Sequence, residues 1–126
     1  MNMGLQEKRK QRHSVFKSFV FAWHGISGAV KSERNMRIHL AAGTAAVFLG
    51  CYFSLSSVEW LFLLTAIFGT IALELLNSAI ERTVDLITGQ IHPLARQAKD
   101  LAAAAVFVYA IFSALVGLII FIPKIF

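Results

Sequence analysis

The sequence predicts an all-α integral membrane fold, with three transmembrane helices and an N-terminal amphipathic surface helix. Three observations lead there. Hydrophobic residues make up 57% of the 126 positions and charged residues only 15%, with a mean hydropathy of +0.67. An ordinary soluble domain is roughly 45–50% apolar and about 25% charged. Apolar runs recur at lengths near that of the hydrocarbon core, and basic residues collect at one end of those runs. The composition excludes intrinsic disorder, and the length allows one domain, 1–126.

The elements follow in order. Residues 1–13 (MNMGLQEKRKQRH) form a basic tail, with Lys8, Arg9, Lys10 and Arg12 clustered as they would be beside an anionic bilayer surface. Residues 14–31 repeat Val15, Phe16, Phe19, Trp23, Ile26 and Val30 at helical intervals, with Lys17, Ser18, Ser27 and Lys31 largely elsewhere. That pattern predicts a helix lying in the interface, because the stretch is too polar to span. Ser32 to Arg37 is expected to form a charged break.

Residues 38–55 are the first expected span, about 27 Å long at 1.5 Å per residue. Ser54, Ser56 and Ser57 mark a turn. Residues 58–88 predict one helix of about 46 Å, too long for the bilayer, so one end must project. Glu74, Glu81, Arg82 and Asp85 mark that end, since Trp60 to Leu73 carry no charge. Gly89 and His92-Pro93 predict a loop over 88–97. Residues 98–122 are the third span, which Pro123 is expected to end. The single cysteine, Cys51, excludes an intramolecular disulfide and is expected to be packed.

Eight Lys or Arg precede the first span, three lie between Arg82 and Lys99, and only Lys124 lies at the C-terminus. The positive-inside rule therefore places the N-terminus and the 82–100 loop in the cytoplasm and the C-terminus outside. Basic flanks of this kind also account for the net charge of +5 without invoking nucleic acid.

The acids carry the chemistry. At about 100° per residue, Glu81 and Asp85 fall within roughly 20° of Glu74, and Asn77 lies about 60° away on the same side. An acid within a span costs about 2.5–3.5 kcal/mol on insertion scales, so Glu74 must face protein, water or ligand. Carboxylates so close repel unless a proton or cation intervenes. A divalent-cation site and a cation-conducting path both satisfy that need. Glu33, Lys99 and Asp100 are expected at the same membrane face. Magnesium takes a few carboxylates plus phosphates and water, and a neighbouring lysine suits a transferring phosphoryl group. A channel would distribute acids across the whole span, whereas these gather at one face. There is no GxxxxGK[ST] run, so a P-loop is excluded.

The segment Glu74-Leu-Leu-Asn77-Ser-Ala-Ile-Glu81-Arg-Thr-Val-Asp85 resembles the signature of the small integral-membrane lipid kinases of bacteria, the prokaryotic diacylglycerol kinase family. Ala98-Lys99-Asp100, the small-residue run after it and Glu33-Arg34-Asn35-Met36-Arg37 are similar too, in the same order, so the resemblance covers about residues 14–122. It implies a homotrimer with active sites shared between subunits, using ATP as co-substrate and Mg2+ to phosphorylate a lipid alcohol. By resemblance Glu74 is the catalytic base and Asn77 supports it. Glu33 and Glu81 hold magnesium and contact the nucleotide. Lys99, Asp100 and the Gln90–His92 loop also bind the nucleotide. Asp85 belongs to the signature without an assigned role. Gln90 stands where proteobacterial members have an acid, and Phe21 where they have a tyrosine. The FAWHGISGAVKSERNMRIHL and HPLARQAKD stretches look closer to members from Gram-positive bacteria, which implies undecaprenol as the acceptor, with diacylglycerol as the alternative.

Overall fold

The computed structural model describes residues 15–126 and is entirely helical over them apart from short connections. The expected basic tail and Ser14 lie outside the described residues. Four helices follow one another: α1 (Val15–Ser32), α2 (Arg34–Tyr52), α3 (Ser57–Ile87) and α4 (Pro93–Ile125). The chain divides into two units, one ending with α1 at Ser32 and the other running from Glu33 to Phe126. Within α1, Phe16, Phe19 and Trp23 are exposed.

In the second unit α2 packs on α3 and α3 more extensively on α4. Side-chain pairings show both contacts to be antiparallel. Glu33 meets Ser78, His39 meets Glu74, and Gly50 meets Trp60. Asp85 meets Lys99, Thr70 meets Ser113, and Glu59 meets Lys124. Apolar packing concentrates toward the α2–α3 turn, where Leu55, Leu63, Ala66, Val116 and Ile120 form a buried cluster flanked by Trp60 and Phe121. Glu33, Glu74, Glu81, Asp85 and Asp100 lie toward the other end of the same helices, and only Glu59 among the acids of the described residues stands near the turn.

Two helices, α3 and α4, are long and apolar enough to cross a membrane, and only 17% and 11% of their most apolar stretches are buried. A core helix of a soluble protein would be mostly buried. Faces this open suit a lipid environment or contact with neighbouring copies.

Several boundaries differ from the sequence expectation. The charged break shrinks to Glu33, whose extended backbone separates α1 from α2 (φ −122°, ψ 121°), and Arg34 to Arg37 are helical. The first apolar run ends its helix at Tyr52 rather than residue 55. Ser54 adopts the left-handed conformation at φ 51°, and the N–H of Leu55 donates back to the Gly50 carbonyl at 3.2 Å. Ser56 then caps α3, its hydroxyl accepting from the Glu59 N–H at 3.2 Å.

The loop before α4 is shorter than expected, Thr88 to His92, because His92 caps the helix and Pro93 occupies its first turn. A proline at N1 lacks only an N–H that has no helical partner anyway. Pro123 does not end α4, which continues to Ile125. It sits so near the terminus that one ladder bond is lost, and the Phe126 N–H still closes the final turn on Ile122 at 3.1 Å. Cys51 is exposed rather than packed, since its neighbour Gly50 is the residue turned toward Trp60.

Gly69 sets how closely α3 and α4 approach. A Cβ there would collide with the Tyr109 hydroxyl, which donates to the Thr65 carbonyl at 2.7 Å. Gly69→Ala is expected to displace the phenol, break that bond and destabilise the helix pair by about 1–3 kcal/mol. Thermal denaturation in detergent checks this, and an unchanged midpoint would refute it.

Candidate active site

α3 carries the acidic stripe, and its neighbours decide the surroundings of each acid. Glu74 is the deepest, only 4% exposed. Its Oε2 lies 3.6 Å from His39 Nε2 on α2. One turn on, the Ser78 hydroxyl sits between two acidic residues, donating to the Glu33 carboxylate and approaching the Glu74 carbonyl at 3.0 Å. Glu33 stands immediately before α2, yet its side chain does not cap the helix. Its carboxylate turns instead to α3, where Arg82 donates to it at 3.3 Å.

Asn77 donates from Nδ2 to Glu81 Oε1 at 3.5 Å, while its own Oδ1 is buried with no partner. A buried amide oxygen without a donor is costly in a membrane protein. Its placement beside Glu81 leaves an oxygen free for a cation or a donating ligand. Among the described residues no three His, Cys, Asp or Glu side chains converge as a metal cage. Magnesium is usually held by one or two carboxylates plus substrate phosphates and water. Glu33, Glu81 and the Asn77 carbonyl are hard oxygen donors of that kind, so the residues present fit the ion.

Repulsion along the stripe, which from sequence calls for a cation, is largely met by the protein itself. His39 faces Glu74, Arg82 faces Glu33, and Lys99 Nζ reaches Asp85 Oδ1 at 2.6 Å. Arg96 stands 3.8 Å from Asp100 one turn along α4. Only Glu81, held by the Asn77 amide, lacks an ion pair among the described residues.

The remaining candidates gather further along α3. A cavity of about 580 Å³ lies between the end of α3, the Thr88–His92 loop and the start of α4, and Asp85, Gln90, His92, Lys99 and Asp100 all line it. The loop is held by Thr88, whose Oγ1 accepts from the Gln90 N–H at 3.2 Å. His92 Nδ1 accepts from the Leu94 N–H at 3.1 Å. That fixes the proton on Nε2 and leaves it as the ring's free donor. A second cavity, of about 520 Å³, lies toward the other end of α3. It is apolar, lined by small residues such as Ala42, Gly43, Ala46, Ala66 and Gly117, and His39 forms part of its wall. Along α3, Glu74 stands between the residues lining the apolar cavity, which end at Thr70, and those lining the polar one, which begin at Val84.

The model of prokaryotic diacylglycerol kinase matches residues 20–121. The chain belongs to the prokaryotic diacylglycerol kinase family. It is a lipid kinase, and ATP is the co-substrate such an enzyme requires. The kinase is 48% identical over 122 residues to the undecaprenol kinase of Bacillus subtilis, covering 97% of this chain and 99% of that one. It is 32% identical to a diacylglycerol kinase of Helicobacter pylori, over 86% of this chain and 85% of that one. A diacylglycerol kinase of Escherichia coli K12 shares 31% identity over 75% of this chain and 77% of its own.

Sequence reasoning missed three features of the candidate site. Asp85 holds Lys99, Ser78 and Arg82 receive the Glu33 carboxylate, and His39 faces Glu74. The first was legible in principle, as an acid and a lysine flanking one short loop. The other two depend on the register of α2 against α3, which helical periodicity does not reveal.

Proposed function

We propose that the kinase transfers the γ-phosphoryl group of ATP to undecaprenol at the cytoplasmic face of the cell membrane, giving undecaprenyl phosphate. The observation that carries this reading is the placement of one buried carboxylate, Glu74, on α3 between an apolar cavity and a polar one. The undecaprenol acceptor rests on the relative of that name, which aligns along nearly the whole chain.

In this reading the lipid hydroxyl comes to Glu74 from the apolar side and gives its proton to the carboxylate. The lipid oxygen bonds to the γ-phosphorus as the bond from that phosphorus to the β,γ-bridging oxygen breaks, and ADP leaves with the electron pair. Asn77 holds Glu81, and Lys99, kept in place by Asp85, offsets charge on the phosphates. Asp100, Gln90 and His92 bind the nucleotide in the polar cavity. Asp85 lies 11 residues beyond Glu74, about 16 Å along the helix, a distance the triphosphate must help to bridge. Magnesium, held by Glu33 and Glu81 with the phosphates, would neutralise the charge that develops on transfer.

α2 joins α3 and α4 as the third span, with the N-terminus cytoplasmic and α1 lying in the interface. A homotrimer covers the open helix faces and lets neighbouring subunits complete each site. Basic residues concentrated at one side support the orientation, and exposed Phe16, Phe19 and Trp23 support the placement of α1.

Phosphorylation from labelled ATP, with undecaprenol and diacylglycerol in parallel micelles, tests the reading. A product from undecaprenol, formed faster than from diacylglycerol, is expected. Absence of product from both would refute the activity of these residues, and a marked preference for diacylglycerol would overturn the acceptor. Glu33→Ala and Glu81→Ala are each expected to raise the magnesium requirement by about tenfold or more. An unchanged magnesium titration would refute their role as ligands.

A further inference from the structure

We propose that His39 is a positioning residue for Glu74, setting the carboxyl group in the orientation that accepts the proton of the lipid hydroxyl. The inference rests on the assignment of Glu74 as the base. Three observations carry it. His39 Nε2 lies 3.6 Å from Glu74 Oε2, and no other charged side chain among the described residues forms an ion pair with Glu74. Glu74 is buried, so a partner within the protein matters more than it would in water. The imidazole also forms part of the wall of the apolar cavity. It therefore stands where an alcohol approaching from the apolar side would meet the acid.

Geometry gives the contact its direction. The carboxylate favours the tautomer with the proton on Nε2, and a ring N–H given to Oε2 leaves Oε1 for the substrate hydroxyl. The separation is longer than a hydrogen bond, and catalytic contacts commonly tighten once substrate is bound. His39 follows Glu33 by six residues, about 9 Å along α2, and Ser78 follows Glu74 by one turn of α3. The two pairs thus meet across α2 and α3 at successive levels, Glu33 with Ser78 and Arg82, then His39 with Glu74. The first pair faces the phosphate side, and the second faces the acceptor.

The test uses the full chain in micelles with undecaprenol and ATP, comparing His39→Ala, His39→Gln and His39→Asn with Glu74→Gln. A Gln amide can place its nitrogen near the position of Nε2, whereas Asn is too short. His39→Ala and His39→Asn are expected to lower kcat by about 10- to 100-fold, with the KM for ATP and the melting midpoint unchanged. His39→Gln is expected to restore most of the rate. Wild-type kcat in His39→Ala, beside an inactive Glu74→Gln, would overturn the positioning role alone. Full turnover in Glu74→Gln would overturn the base assignment and the inference with it. Should His39→Ala fail to fold, the Gln and Asn variants decide the matter. Equal rates in those two, or a parallel loss of ATP affinity and stability, would show a structural contact only.

Discussion

Glu74→Gln is expected to reduce lipid phosphorylation by about 1,000-fold while ATP affinity stays close to that of the parent enzyme. Glutamine matches the shape of the carboxylic acid but cannot take up a proton. The loss should approach the 10²–10⁴-fold that a positioned general base contributes. Structural disturbance should be small, because no side-chain hydrogen bond of Glu74 closer than the 3.6 Å contact with His39 would be broken. The polar cavity begins at Val84, ten residues further along α3, which is why nucleotide binding should survive. Single-turnover phosphorylation together with a separate measurement of ATP binding checks the prediction. Turnover near that of the parent would refute the base assignment, and equal loss of ATP binding would show a general disruption.

Lys99→Ala is expected to lower kcat/KM for ATP by about 100- to 1,000-fold, the usual effect of removing one preorganised electrostatic group from a site of phosphoryl transfer. The ammonium group lines the polar cavity and is held at 2.6 Å from Asp85. That contact also predicts the behaviour of its partner. Asp85→Asn should leave the positive charge in place but loosen it, so about a tenfold loss is expected, well below that of Lys99→Ala. Both residues are partly exposed, which limits what their attraction alone adds to stability, so the melting midpoint should change little in either variant. Steady-state kinetics with ATP varied at saturating lipid decides this. A parent-like value in Lys99→Ala would refute its phosphate role, and a larger loss in Asp85→Asn than in Lys99→Ala would overturn the proposed order.

The helices themselves were largely legible. Apolar runs and their punctuation located α3 to within a residue at each end, because Ser56 is a good cap and Thr88 precedes the glycine of the loop. Pro123 misled, since a proline in the last turn removes too little hydrogen bonding to end a helix. The Ser32 to Arg37 stretch misled for a related reason. Charged residues there favour water without opposing helix, so only the backbone of Glu33 departs.

The candidate site divides the same way. Sequence alone determined that the acids form a stripe on one helix, that Lys99, Asp100 and the Gln90–His92 loop follow it closely, and that the chain belongs in a membrane. Those are properties of local spacing and composition, which one strand of text records. Only tertiary structure decided that Glu33 turns away from its own helix toward Ser78 and Arg82, that Asp85 holds Lys99, and that His39 faces Glu74. These depend on the antiparallel register of α2 and α4 against α3. That register is set by close approaches such as Trp60 over Gly50 and Tyr109 over Gly69, where shape complementarity between distant residues fixes how far one helix slides along another.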